Sequence, residues 1–279
     1  GQLATTWQDT KMFEDISGRV VSTLENPNVL AEYLIMCMPV MFALFWMGKG
    51  VRGKIYAAIP FLICAACVIF TWSRGAWLGL ILAMFLLLLM LSRKSLVFYL
   101  VGIFASPFAI MVMPDSILNR FASIGNLADT STSYRVNIWR GTLRMLKDCF
   151  FTGIGSGIDL FPLVYQEYAL NGAASAQHSH NLYLQITVEM GIFGLLLFLA
   201  IVFLAAKICF HTLNKHKMDQ MRWIVAGLAC GLVAVLVQGL TDYIWYNYRV
   251  FLVFWLLLGL LAAAGRLSEQ RAKQLELHI

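Results

Sequence analysis

Seven long apolar runs recur along this chain, separated by short polar or basic connections. Such runs restrict the fold more than any single motif. A backbone inside hydrocarbon must satisfy its own hydrogen bonds, and runs of this length do so as helices crossing about 30 Å of bilayer. The expected spans are Val29–Trp46, Ile55–Trp72, Ala76–Leu91, Leu96–Met113, Leu182–Ile208, Trp223–Leu240 and Val250–Ala264. Of the 279 residues, 60% are hydrophobic and only 13% are charged. A water-soluble domain carries roughly a quarter charged residues, so that class is excluded. The expected fold is an all-α polytopic membrane protein with about seven transmembrane helices and a long loop containing amphipathic helices.

The net charge of +6 follows from topology rather than from a nucleic-acid partner, since no block of like charges forms a basic arm. Basic residues gather in every second connection: Lys49, Arg52 and Lys54; Arg93 and Lys94; Lys207, Lys215, Lys217 and Arg222; then Arg266, Arg271 and Lys273. Placed in the cytoplasm by the positive-inside rule, these loops set the orientation. Residues 1–28 become an outward-facing segment, 29–113 four spans, 114–181 a large extracytoplasmic loop, 182–265 three spans and 266–279 a cytoplasmic tail. The aromatic turn of Tyr243, Trp245, Tyr246 and Tyr248 then lies at an interface, where such rings are expected. Residues 1–28 lack the basic and apolar regions of a signal peptide, so the natural start is expected further upstream.

Five of the six cysteines sit in apolar runs, and only Cys149 lies in the long polar segment. There they behave as small hydrophobes, which argues against a disulfide framework. Cys64 and Cys67 make a C-x-x-C, but it is mid-span and lacks a second ligand pair.

Ionisable residues at the outward ends of the spans are the candidates for chemistry. Arg74 sits in a tight turn between two spans, where the bland alternative is an arginine snorkelling to headgroups. A helix is expected over Ser133–Phe151, opened by a Ser/Thr cluster and stopped before Gly153. Its 3.6-residue period aligns Ile138, Trp139, Thr142, Leu146 and Cys149 with Arg135, whereas Arg140, Arg144 and Lys147 fall on the opposite, solvated face. A charge on the packed face needs an anionic partner, which makes Arg135 the informative one.

His178-Ser179-His180-Asn181 opens the fifth span. His178 and His180 are spaced to share a metal, but no third ligand is visible nearby. Glu189 lies about 13 Å deeper along the helix, half a turn out of phase with His180, as an intramembrane carboxylate. Asp242 ends the sixth span. Two arginines, a histidine and a carboxylate on one side suit an anionic substrate, because guanidinium forks bind phosphate oxygens in pairs and neutral imidazole is the common base near pH 7.

The ordered pieces Gly18-Arg19 with Asn26-Pro27-Asn28, Ser73-Arg74-Gly75-Ala76, Arg135-xxx-Trp139 with Gly153-Ile154-Gly155, His180-Asn181-xx-Leu184 with Glu189-x-Gly191-xx-Gly194, and Asp242 cover nearly the whole chain. In that order the chain resembles the O-antigen ligase and O-antigen polymerase superfamily of bacterial membrane glycosyltransferases. The resemblance implies a GT-C-like fold in the cytoplasmic membrane, with the active site facing the exterior. It implies inverting, metal-independent transfer from an undecaprenyl-pyrophosphate-linked glycan donor to a glycan, lipid or protein acceptor, with no cofactor. Arg74 and Arg135 would hold the pyrophosphate and His180 would be the base; His178, Asn181, Glu189, Asp242 and Arg140 are secondary candidates. Members of the superfamily carry further spans before this region, so the chain is expected to be a C-terminal portion or a short member.

Two other classes use the same residues. A transporter or flippase would line a path with the arginines and couple protons through Glu189. A non-catalytic scaffold would use them as headgroup contacts. Convergence of Arg74, Arg135 and His180 on one outward cavity is what separates the transferase from both.

Overall fold

Asn26 starts the first helix: its side chain accepts from the Asn28 and Val29 backbone N–H groups at 2.8 and 3.4 Å, and Pro27 occupies the first turn, where its missing N–H costs nothing. In the computed structural model, residues 3–4, 18–92, 95–157, 159–215 and 220–277 are described. Arg93, Lys94, Lys217 and most of the 1–28 segment lie outside them.

The elements follow in order. Strands β1 (Leu3–Ala4) and β2 (Arg19–Val20) pair antiparallel, Leu3 opposite Val20. Helices α1 (Pro27–Met47), α2 (Gly50–Phe70), α3 (Arg74–Leu91) and α4 (Ser95–Val112) are followed by the shorter α5 (Asp115–Ala122), α6 (Thr130–Cys149) and α7 (Leu160–Tyr165). Helices α8 (Leu182–Lys215), α9 (Met221–Gln238) and α10 (Tyr248–Leu277) complete the chain. Six of these, namely α1, α2, α3, α8, α9 and α10, are long and apolar enough to cross a membrane. The other expected span is α4, whose apolar Ser95–Phe108 portion is shorter.

Several helix boundaries differ from the expected ones by about a turn or more, two of them at α10 and α6. The segment after Ala264 is helical and continues α10 to Leu277, because 266–277 is rich in good helix formers and Glu269 meets Lys273 one turn on, at 3.2 Å. Helix α6 begins at Thr130, three residues before the expected Ser133, because Asp129 caps it by accepting from the Ser131 N–H at 3.3 Å.

Helix α9 is the centre of the bundle and packs on α1, α3, α8 and α10. Small residues make this possible: with Gly227 and Gly231 one turn apart, the backbones of α9 and α1 approach so closely that a Cβ at Gly231 would lie 2.3 Å from the Met36 carbonyl oxygen. On the other side, a Cβ at Gly79 would lie 2.3 Å from the Ala234 carbonyl oxygen, so α3 is equally close. Helix α2 by contrast exposes Tyr56, Leu62 and Ile63, an apolar face that suits lipid.

Helix α8 is broken at Gly191, whose φ of 69° and ψ of −178° are open essentially to glycine alone. The 150–155 segment lies across the break and takes up the freed backbone groups. Ile192 N–H donates to the Phe150 carbonyl at 2.8 Å, Ile154 N–H to Val188 at 2.8 Å and Gly155 N–H to Glu189 at 3.0 Å. This seam fixes the end of α6 against α8. A second small core of Ile138, Met145, Phe161, Tyr165 and Val188 fills the space between α6, α7 and α8.

The antiparallel winding brings the starts of α1, α3 and α8 to the same end as the finishes of α2 and α9. Residues of the 114–181 segment cover that end, and the site lies there.

Candidate functional site

A cavity of about 840 Å³ opens at this end. Arg74, Arg135, His178, His180 and Asp242 all line it, as do Arg19, Asn28, Glu32, Arg120, Tyr134, Gln238 and Tyr246. The three side chains that the sequence singled out first thus face one space, although they come from α3, α6 and the start of α8.

His180 sits just before α8 with φ 49°, a left-handed conformation that a β-carbon-bearing residue seldom adopts. The surroundings enforce it. Trp139 Nε1 donates to the His180 carbonyl at 3.2 Å, and the His180 N–H donates to His178 Nδ1 at 3.2 Å. Asn181 accepts the Leu184 N–H at 2.9 Å and donates to the Leu240 carbonyl at 2.8 Å, tying the start of α8 to the finish of α9. The His180 ring Nδ1 lies 3.1 Å from Asp242 Oδ1, and the ring is 24% exposed.

Asp242 is a hub. Besides His180, its oxygens accept from Asn28 Nδ2 at 3.1 Å and from the Tyr243 N–H at 3.0 Å, and Arg135 Nη2 is 3.7 Å away. Burial pushes this carboxyl up, but the His180 hydrogen bond and ring, with the charge of Arg135, outweigh burial and hold it well below the usual carboxylate range. Asp242 is therefore ionised. Burial and the neighbouring His180 lower His178 to about 3, so His178 is a neutral ring, lying among Tyr243 and Tyr246 at 5.8 and 4.7 Å between centroids.

The arginines differ in how they are engaged. Arg74 forms an ion pair with Asp129 and donates to the Ser123 carbonyl and hydroxyl at 2.9 and 2.8 Å; the two charged side chains are only 9% and 0% exposed. Burial would raise the Asp129 carboxyl, yet the Arg74 charge and hydrogen bonds from Thr132, Arg74 and the Ser131 N–H hold it below its ordinary value. Arg135 is 20% exposed and, among the described residues, has only the 3.5 Å contact to Ser131 Oγ and the 3.7 Å pair with Asp242. Arg120 donates Nε to the Trp72 carbonyl at 3.2 Å. Arg19 donates to the Thr71 carbonyl at 2.7 Å and to Asn28 Oδ1 at 2.8 Å.

The remaining candidates do not line the cavity. Arg140 is exposed with Arg144 and Lys147, as the helical period requires. Glu189 accepts from Gln185 Nε2 at 2.8 Å, and Gln185 Oε1 in turn accepts the Ser179 N–H at 2.7 Å, so Glu189 supports the histidine segment from behind. Asn181 acts through backbone contacts.

Sequence reasoning quoted Arg19 and Asn28 as motif residues but gave them no site role, and it passed over Arg120, Glu32 and Asp129. Glu32 carried a signal, being a carboxylate within an apolar span; it is 2% exposed and hydrogen-bonded to Gln238. Asp129 was legible as the acidic residue before the Thr130 cluster. The missing third partner for His178 and His180 is also explained, since their ligand-capable atoms and those of Asp242 lie within 4.8 Å of one another. Among the described residues that trio is the group able to hold a cation, but four guanidinium groups around the same cavity oppose a dication there.

The family model described as O-antigen ligase matches residues 59–199, just over half of the chain. The match includes Arg74, Arg135 and His180, while Arg19, Asn28 and Asp242 lie outside it. No curated protein matches the chain.

Proposed function

Since the chain belongs to the O-antigen ligase family, and hence to a type of membrane glycosyltransferase, we propose that this cavity moves a glycan from undecaprenyl pyrophosphate to an acceptor hydroxyl on the outer side of the bacterial cytoplasmic membrane. The observation that carries this reading is the His180–Asp242 contact in a cavity lined by four arginines.

Ionised Asp242 accepts Nδ1–H of His180, which leaves the Nε2 lone pair free to take a proton. The acceptor oxygen attacks the anomeric carbon, its proton passes to His180 Nε2, and the bond from that carbon to the diphosphate oxygen breaks. The leaving diphosphate keeps the electron pair and the sugar carbon inverts. Asp242 stabilises the imidazolium that forms, and the guanidinium wall stabilises charge growing on the leaving group. Preorganised charges in a partly dry site contribute most of the acceleration in such a step. The donor's lipid tail would lie along the apolar helix faces, and the acceptor is a glycan, lipid or protein.

The test is transfer from a lipid-linked donor by membranes carrying His180→Ala. Normal membrane level with product formation reduced about a hundredfold or more is expected. Product at the wild-type rate would remove His180 from this role. Movement of intact donor across the membrane without transfer would point to a flippase.

A further inference from the structure

A basic stripe lies outside the cavity, on the outward face of α6. Arg140, Arg144 and Lys147 recur at i, i+4 and i+7, within about 60° of one another around the helix, with Leu143 beside them. All four side chains are exposed. The three cations make no ion pair among the described residues. The neighbouring acids are Asp148, whose carboxylate accepts from the Tyr168 hydroxyl at 2.6 Å, and the exposed Glu167. Like charges three and four residues apart oppose the helix that carries them unless an anion lies across them.

The position of the stripe says which anion. Trp139 Nε1 meets the His180 carbonyl at 3.2 Å, and further on the Phe150 carbonyl accepts the Ile192 N–H at 2.8 Å. Between those contacts the chain advances 11 residues on α6 and 12 on α8. Nearly equal steps mean that α6 and α8 run side by side in the same direction. α8 is one of the membrane-crossing helices, and Phe193, Leu196 and Leu197 are exposed on it. Phe151, 67% exposed, lies against Phe193, with ring centroids 6.5 Å apart. The basic stripe therefore ends on a lipid-facing apolar patch, with Lys147 about 6 Å and Arg144 about 10 Å back along the helix from Phe151.

We propose that Arg140, Arg144 and Lys147 seat the phosphate of an anionic membrane lipid, whose chains lie on Phe151, Phe193 and Leu197. Long basic side chains at the edge of hydrocarbon extend into the headgroup layer, where guanidinium forks hold phosphate oxygens in pairs. A zwitterionic headgroup brings its own cation, so a lipid of net negative charge is the better match for three cations. The seat lies on the face of α6 opposite Arg135 and does not depend on the transferase reading.

The experiment uses the full chain in phosphatidylcholine nanodiscs containing a small share of phosphatidylglycerol or phosphatidylcholine with a photoreactive diazirine in one acyl chain. Crosslinks are mapped by mass spectrometry, with those at Leu62 and Ile63 on the lipid-facing side of α2 as the reference. Relative to that reference, phosphatidylglycerol should exceed phosphatidylcholine roughly tenfold at Phe151 and Phe193, and high salt should reduce the preference. Combined Arg140→Gln, Arg144→Gln and Lys147→Gln should lower the preference by about fivefold or more, whereas Arg140→Lys with Arg144→Lys, which keeps the charge, should stay within about threefold of wild type. Equal crosslinking by the two lipids in the wild type overturns the proposal, and so does an unchanged preference in the triple variant. An acceptor KM raised by the triple variant with the lipid preference intact would also overturn it and give the stripe to the acceptor. If the triple variant fails to reach the membrane, Arg144→Gln and Lys147→Gln alone decide, each lowering the preference about three- to fivefold.

Discussion

His180 Nδ1 and Asp242 Oδ1 lie 3.1 Å apart although 62 residues separate them, and the carboxylate that orients the ring is the same one that faces Arg135 and Asn28. This relationship makes Asp242 the residue whose loss should alter the chemistry without emptying the cavity.

Asp242→Asn should therefore reduce kcat by about two to four orders of magnitude, with a smaller change in donor KM. The amide can hold the ring in the wrong tautomer and cannot stabilise the imidazolium. Single-turnover transfer by the variant checks this; a kcat within a few-fold of wild type would mean that His180 is not acting as the base.

Breaking the buried Arg74–Asp129 pair should act on stability. Arg74→Ala or Asp129→Ala leaves one buried charge unpaired, at a cost of about 3–5 kcal/mol. Thermal melting in detergent should show a large drop for either single variant. A double Arg74→Met, Asp129→Leu variant should recover much of it.

Acid should destabilise the protein over a defined range. His178 is lowered to about 3, so the unfolded chain binds a proton first as pH falls through 6.5, and folding stability declines below that value. Asp242 and Asp129 are depressed carboxyls whose contribution is present above about pH 4 and is lost as pH falls further. Melting temperatures should thus decline from near pH 6.5 downward, and His178→Gln should flatten the upper part of the curve. A His178→Gln curve that superposes on wild type would refute the assignment.

The break in α8 is equally testable. Gly191→Ala would place a Cβ 2.2 Å from the Phe151 carbonyl oxygen in a backbone conformation that alanine resists. A cost of about 1–3 kcal/mol from the backbone alone, before the collision, should lower the yield of folded protein. Gly194→Ala would also collide, with the Met190 Cβ at 2.2 Å, but needs no left-handed backbone, so it should be the milder of the two. Comparison of membrane levels and melting of the two variants checks the order.

Chelation tests the His178, His180 and Asp242 trio. Transfer should be unchanged after treatment with EDTA, because the arginines already carry the charge that a dication would supply. Activity lost to EDTA and restored by one divalent metal would make the trio a metal site.

Some of this was legible in one dimension. The apolar runs report helices directly, because hydrocarbon allows the backbone few other solutions. The buried stripe of α6, with Ile138, Thr142, Leu146 and Cys149 inside and Arg140, Arg144 and Lys147 outside, followed from a 3.6-residue period. The start of α6 was missed because Asp129 caps it while also pairing with Arg74, a contact between residues 55 positions apart in the sequence. The helical continuation of α10 lay outside the expected span, because its charged composition resembles a solvated tail and only the i,i+4 spacing marks it as helix.

Spans, the packed face of α6 and the residue types suited to an anionic ligand were thus determined by local pattern, since periodicity and transfer free energy act over a turn or a run. Which arginine is spent on Asp129, which faces neutral acceptors, and which carboxylate meets His180 were decided only by the winding of the bundle. α9, α8 and α1 meet at one end there, with the 114–181 segment across it. Ion pairs depend on distances between elements far apart along the chain, and no local pattern carries those distances.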